Sequence, residues 1–312
     1  MTDTHLPSTG AKPADLYRFT SVDFALYAAI VLAWSTSWYP LSLQVGVVAP
    51  EVSLVWRFLG AGVLMFGYLL YSGRQIRFAL ADHVRFAMLG ILLFSTNFAL
   101  FYYASATGLA SGLLSVIFST ASIINLILTT LVTGARPEGR VALGAILGLC
   151  GIALVFWPEI AGTSFNRSAL FGVALGLCGT LSFCLGNILS ASNQKRGLSV
   201  ISANAWCMIY GAIWMAVVAL FRGQTFAVEW TGAYLGSLAF LTLSSSILAF
   251  AVYLTLIGRI GAARAGYATV IFPIFALLIS TVLEGYQWTG LSIAGLVLVV
   301  AGNYFVLSRK RA

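Results

Sequence analysis

Apolar stretches of about twenty residues recur ten times along this 312-residue chain, near 23–43, 52–72, 84–104, 108–133, 141–157, 169–190, 200–221, 232–256, 265–284 and 289–307. A helix rises about 1.5 Å per residue, so each stretch can cross a hydrocarbon core of roughly 30 Å. The pattern predicts an all-α integral membrane protein of ten transmembrane helices. The basic residues between the stretches alternate with them. Lys12, Arg18, Arg74, Arg77, Arg85, Arg136, Arg140, Lys195, Arg196, Arg259, Arg264, Arg309, Lys310 and Arg311 fall on the side of the N-terminus. Only Arg167 and Arg222 fall on the other, and Arg57 lies inside the second stretch. Losing or adding one span would scramble this order. The excess of Lys and Arg marks the cytoplasmic side, which places both termini inside.

Composition agrees with this class, since 60% of residues are hydrophobic and 8% charged, against about a quarter charged in soluble domains. The net charge of +8 is a cytoplasmic rim rather than a patch on a soluble face, so no nucleic-acid partner is expected. Residues 1–22 read as a disordered cytoplasmic tail without the apolar core of a signal peptide, and 308–312 as a basic cytoplasmic tail. Cys150, Cys178, Cys184 and Cys207 all lie within spans and show no CxxC spacing, while His5 and His83 sit in tail and loop. Neither a metal site nor a disulfide framework follows, and no cofactor is expected.

The chain repeats itself at an offset of about 150 residues. Gly144-Ala-Ile-Leu-Gly-Leu-Cys-Gly151 matches Gly295-Leu-Val-Leu-Val-Val-Ala-Gly302. Tyr103 with Gly108 matches Tyr253 with Gly258, and Ser95-Thr96-Asn97 stands opposite Ser244-Ser245-Ser246. Trp34-Ser-Thr-Ser-Trp38 matches Gly179-Thr-Leu-Ser-Phe183. The halves are 23–157 and 168–307, joined by a periplasmic loop at 158–167. Five spans is an odd number, so the second half enters from the opposite side. Inverted five-helix repeats are typical of secondary transporters, whose substrate site lies near the midplane between them.

A family resemblance rests on these residues. Leu248-Ala-Phe-Ala-Val-Tyr253, then Gly258-Arg-Ile-Gly-Ala-Ala-Arg264, Phe272-Pro273 and the Gly295…Gly302 pair resemble the second repeat of the drug/metabolite transporter superfamily, the ten-span EamA-like proteins. Ala49-Pro50-Glu51 with Trp56-Arg57-Phe58, and Gly134-Ala135-Arg136-Pro137, resemble the first. Within that superfamily the whole sequence is most similar to bacterial aromatic amino acid exporters of the YddG type. The departures are Ala135 and Tyr286 where the family often has a turn glutamate, Ser122 opposite Pro273, and no buried glutamate in the first span. The resemblance implies export of aromatic or neutral amino acids, or similar small metabolites, across the bacterial inner membrane by a monomer or homodimer in contact with lipid.

For energy coupling the informative feature is an absence. No phosphate-cradling Gly-x-x-x-x-Gly-Lys-[Ser/Thr] occurs, and all nine acids stand in tails, loops or span ends. A proton-coupled exporter generally needs an ionisable group deep in the membrane. Passive facilitation is therefore the leading reading, and proton-coupled export of drugs or cations the alternative, with Asp23 and Glu284 as candidate carriers. A sugar-phosphate antiporter would want several buried cations. The chain lacks HExxH, a GxSxG elbow and a mid-span Asp pair, so no enzyme is expected.

Candidate binding residues come from polar and aromatic positions inside spans. Ser111, Ser115, Ser119, Ser122, Asn125 and Thr129 fall within about 120° of one helix face. Such a stripe can line a wet pathway or allow close packing with hydroxyls bonded back to the backbone. Trp206, Tyr210 and Trp214 form an aromatic stripe on the seventh span, and Tyr27, Trp34 and Trp38 another on the first. Trp56, Trp157, Trp230 and Trp288 instead suit the interfacial belt. Rings near midplane suit a planar or cationic ligand, or ordinary helix packing. Asn97 and Asn187 offer amides to an amino acid head group or to a neighbouring helix. Ser244, Tyr102, Tyr103 and Tyr267 complete the set. Arg57, about 8 Å below the outer surface, is expected in a gating or structural salt bridge with Glu284 or Glu51, a carboxylate clamp being the alternative. Pro40 and Pro273 are expected to kink their helices.

Overall fold

The computed structural model describes residues 20–133, 139–161, 166–260 and 268–307, and among these every regular element is helical. Both predicted tails, save residues 20–22, lie outside the described residues. α1 (Ser21–Ser35) opens on a capping box, in which Thr20 and Asp23 bond each other's backbone N–H. It stops two residues before α2 (Trp38–Ser42). The interruption sits where Pro40 has no N–H for the carbonyl of Thr36, four residues back. α3 (Pro50–Tyr71) starts with proline at its first position. α4 (Leu80–Ile91) and α5 (Asn97–Ser105) are one span joined by a π-helical segment, Leu92–Thr96. α6 (Ser111–Ser119) and α7 (Ala121–Thr133) follow, then α8 (Gly139–Ala161), α9 (Arg167–Lys195) and α10 (Val200–Phe221). α11 (Gly232–Phe240) and α12 (Ala249–Ile260) flank a second π-helical segment, Leu241–Leu248. α13 (Ala268–Leu283) runs on through Pro273, and α14 (Gly290–Leu307) closes the described chain.

Among the described residues, seven helical stretches are long and apolar enough to cross a membrane: Ser21–Ser42, Pro50–Tyr71, Leu80–Ser105, Ala142–Ala161, Arg167–Lys195, Val200–Phe221 and Gly232–Tyr253. The fourth, ninth and tenth predicted spans correspond to shorter apolar helices, Ser111–Asn125, Val270–Leu283 and Gly290–Phe305. α8 continues to Ala161, past the predicted boundary at 157.

Pairing between elements follows the sequence repeat. α5 and α7 pack on α9, and α12 and α13 pack on α1. α3 lies on α10, α6 on α13, and α8 on α14. Each helix of these last three pairs comes from a different half. The helix ends repeat too. Gly73 after α3 and Gly223 after α10 adopt φ of 62° and 65°, and in each turn a following N–H reaches a carbonyl five residues back (Arg74 to Leu69, 3.0 Å; Gln224 to Ala219, 2.9 Å).

The matched glycine motifs meet each other. A Cβ on Gly151 would stand 2.6 Å from the carbonyl oxygen of Gly295, and one on Gly302 would stand 2.5 Å from that of Gly144. The glycines thus let α8 and α14 touch backbone to backbone, as small residues do between membrane helices. The outer faces of this pair, including Leu143, Ile146, Ile293 and Val297, are exposed apolar side chains, suited to lipid.

Candidate functional site

A cavity of about 560 Å³ of empty space, part of it open to solvent, lies between the two halves. α1 and α2 contribute Trp34, Ser37, Trp38 and Leu41; α5 contributes Asn97, Phe98 and Phe101. Phe118 comes from α6, Phe183 from α9, Leu241 and Ser245 from the second π-helical segment, Phe250 from α12 and Phe272 from α13. Arg57 of α3 supplies the charge.

The walls are largely aromatic. Trp38 stacks on Phe272 (centroids 6.4 Å apart, planes at 11°) and meets Phe101 and Phe118 at 5.1 and 5.7 Å. Trp34 packs on Tyr253 and Phe272. The break after α1 lets α2 turn Trp38 into this cluster; Ser35 Oγ bonds back to the Val31 carbonyl at 2.6 Å and also lies 3.1 Å from the Phe272 carbonyl.

Arg57 is wholly buried. Its Nε donates to Ser246 Oγ at 3.0 Å and its Nη2 to Ser245 Oγ at 3.3 Å, while Nη1 has no partner among the described residues. The guanidinium carbon sits 4.4 Å from the centroid of Phe98 and 5.1 Å from that of Phe58, within cation–π range. The expected salt bridge is not what the geometry holds, because both acids are engaged elsewhere. Glu51, at the start of α3, pairs with Arg222 and accepts from the Tyr103 hydroxyl. These two oxygens raise the Arg222 pKa above its usual value. Glu284 caps α6, accepting from Ser111 N–H (3.0 Å) and Oγ (2.7 Å), from Ser280, and from Ser42 Oγ at 3.4 Å.

The two serines that hold Arg57 are neighbours of Ser244, which does not line the cavity. A π-helical turn carries one residue more than an α-turn, so periodicity at 100° per residue does not identify the hydroxyl that faces Arg57. Asn97 does line the cavity; its Nδ2 donates to the Leu93 carbonyl at 3.3 Å and its Oδ1 is buried without a partner among the described residues. Tyr102 lies behind the wall, fully buried, donating to Gln44 Oε1 at 2.6 Å.

Other candidates stand away from the cavity. The serine stripe turns to packing: Ser115 and Ser119 bond back to the carbonyls of Gly112 and Val116, Ser122 meets Asn303, and Asn125 is half-buried. The side chain of Thr129 and all of Tyr267 lie outside the described residues. Trp206 and Tyr210 stack on each other and face the start of α4, where Tyr210 Oη meets His83 Nδ1 at 2.9 Å and Trp206 Nε1 donates to the Ile76 carbonyl at 3.0 Å. Trp214 is exposed and Asn187 half-buried. Sequence reasoning missed Phe98, Phe101, Phe118, Phe183, Phe250 and Phe272. Phenylalanine is ordinary in a lipid-facing span, so nothing short of tertiary contact marks these six.

Among the described residues no group of three or more His, Cys, Asp or Glu could hold a metal ion. The site can therefore be described as an aromatic box with one buried cation and one free amide oxygen.

The profile of the EamA-like transporter family matches residues 23–157 and 166–308. The chain is 25% identical over 286 residues to an uncharacterized transporter, YoaV, of Bacillus subtilis strain 168, covering 91% of this chain and 97% of that one. It is 24% identical over 289 residues to an uncharacterized inner membrane transporter, YedA, of Escherichia coli K12 (90% and 91% covered). A probable amino-acid metabolite efflux pump of the same organism is 23% identical over 224 residues (69% and 73%). A crystal structure of another protein shares the fold, with a TM-score of 0.66 at 16% identity over 92% of this chain and 96% of that one.

Proposed function

Because the chain belongs to the EamA-like transporter family, matched across both of its halves, we propose that it is a facilitative secondary carrier that exports aromatic or neutral amino acids, or similar small amphipathic metabolites, by alternating access. It is a multi-pass protein of the bacterial inner membrane, as its apolar helices and its relatives indicate. The observation that carries the substrate reading is the cavity itself, aromatic on most sides with Arg57 and Asn97, both buried, in its lining. The likeness to a probable amino-acid metabolite efflux pump supports the same class.

Ten spans in two inverted halves, with both termini inside, are supported by the element pairing described above and by the one-sided Lys and Arg. Pairs such as α3 with α10 and α6 with α13, one helix from each half, allow the halves to rock about the cavity between them. The interrupted span at Thr36–Ser37 and the π-helical segments are places where such movement meets least resistance.

Coupling to protons is the second reading, and one observation favours it. Asp23 is fully buried and Glu51 nearly so, and among the described residues Glu51 Oε2 has no partner. Efflux from proteoliposomes preloaded with labelled amino acids separates the two. Saturable loss of tryptophan, phenylalanine or tyrosine without a pH gradient is expected. Uphill movement that depends on the gradient would make Asp23, Glu51 and Glu284 the first residues to replace.

The cavity also predicts which aromatic residues matter. In Trp38→Ala the half-saturating tryptophan concentration rises about tenfold, equivalent to roughly 1.4 kcal/mol of lost contact. Trp206→Phe, whose ring stacks outside the cavity, leaves it within about twofold, well under 1 kcal/mol. Flux titrations on the two purified variants decide the matter.

A further inference from the structure

Resting on the reading of the cavity as the substrate site, we infer that Arg57 and Asn97 together read the head group of a free α-amino acid, Arg57 taking the carboxylate and Asn97 the ammonium. A cation in a membrane interior is costly unless it is paired. Among the described residues, Arg57 has no ion pair; two serine hydroxyls and two phenylalanine faces surround it. The Tyr102 hydroxyl, which donates to Gln44, is a further hydrogen-bonding neighbour of the guanidinium, but it is neutral and brings no anion. The guanidinium has five N–H donors in a fixed fork. Ser245 and Ser246 occupy one face of that fork, and Nη1 is left without a partner on a side chain that lines the cavity. The chemistry it lacks is an acceptor, and a carboxylate is the acceptor that also neutralises the charge.

Asn97 is the complement. Its Nδ2 is committed to the Leu93 carbonyl, an acceptor only, which fixes the amide so that Oδ1 is the free end. Oδ1 is buried, unpartnered and on the same cavity wall as Phe98, the ring beneath the guanidinium. It lacks a donor. A ligand that presents an acceptor and a donor from neighbouring atoms, with an apolar body for the aromatic box, satisfies both. An α-amino acid zwitterion does so; an amine or an aromatic acid lacks one of the two groups, and an amino acid ester keeps an acceptor but brings no charge to neutralise Arg57. Ser245 and Ser246 stand on a π-helical segment, so the carboxylate engages the α11–α12 span through Arg57 itself.

The test uses ligands that share one indole ring and differ in the head: tryptophan, tryptophan methyl ester, tryptamine and indole-3-propionate. Each is titrated against purified full-length protein, following the thermal midpoint, and each competes with labelled tryptophan in proteoliposomes. Tryptophan should bind at least tenfold more tightly than tryptamine or the methyl ester, and indole-3-propionate should fall between. Arg57→Gln should weaken tryptophan at least tenfold and leave tryptamine unchanged, with Arg57→Lys recovering part of the loss. Asn97→Ala should weaken tryptophan and leave indole-3-propionate unchanged. The wild-type series stands even where a variant does not fold. Equal binding of tryptamine and tryptophan would overturn the head-group assignment while leaving transport intact. Binding in the expected order without any flux would uphold the assignment and overturn the carrier reading. Absence of binding by the whole series would overturn both.

Discussion

Gly151→Val and Gly295→Val should each deprive the protein of its α8–α14 pair. The first side-chain carbon of residue 151 would lie 2.6 Å from the Gly295 carbonyl oxygen and 2.7 Å from the Val299 nitrogen. The first carbon of residue 295 would lie 2.5 Å from the Gly151 carbonyl oxygen and 2.6 Å from the Val155 nitrogen. These neighbours are backbone, so no rotamer change relieves the clash and the helices must separate. Overpacking of this kind costs about 1–3 kcal/mol or more. Replacing a mid-helix glycine recovers at most about 1 kcal/mol of helix propensity. The clash wins, and valine adds two methyl groups to it. Thermal unfolding in detergent should show a lowered midpoint and a reduced monodisperse yield. Gly236→Ala is the control, because a Cβ there meets nothing within 4 Å; its midpoint should not fall.

Glu284→Ala should also destabilise the fold, by a different route. The carboxylate of Glu284, just beyond the end of α13, caps the N-terminus of α6, holding Ser111 by both N–H and hydroxyl and reaching Ser280 and Ser42. A negative charge is favoured at that end of a helix. Hydrogen bonds to a charged group contribute about 1.5–3 kcal/mol each and are not additive. The expected loss is about 2–4 kcal/mol, read as a lower unfolding midpoint. Glu284→Gln, which keeps an acceptor in the same place, should lose less. Equal midpoints for Glu284→Ala and the wild type would mean that α6 is capped by other groups.

Much of the architecture was legible because it depends on periods and counts. The Gly144–Gly151 and Gly295–Gly302 motifs, recognised as copies of each other, prove to be the two faces of one contact. Pro40 marks the interruption of its span, whereas Pro273 lies in a helix that runs on through it. The site was less legible for three reasons. Helical periodicity gives the width of the Trp206–Tyr210–Trp214 stripe but not what it meets, and Trp206 and Tyr210 meet His83 and not the cavity. Hydroxyls on α6 satisfy themselves on their own backbone, so a polar stripe need not be a wet one. An unpaired buried cation is costly, so the sequence points to an acid as the partner of Arg57. The acids are taken by Arg222 and by the α6 N-terminus, which leaves Arg57 facing the cavity.

The proposed carrier binds a small amphipathic substrate between its halves and moves it without an ion gradient. Counterflow is the test: proteoliposomes loaded with unlabelled tryptophan are diluted into a trace of labelled tryptophan at equal pH on both sides. Label should accumulate transiently above its equilibrium level, which a carrier produces by exchange and a passive pore does not. No accumulation at equal pH, with accumulation restored by an imposed pH gradient, would contradict it.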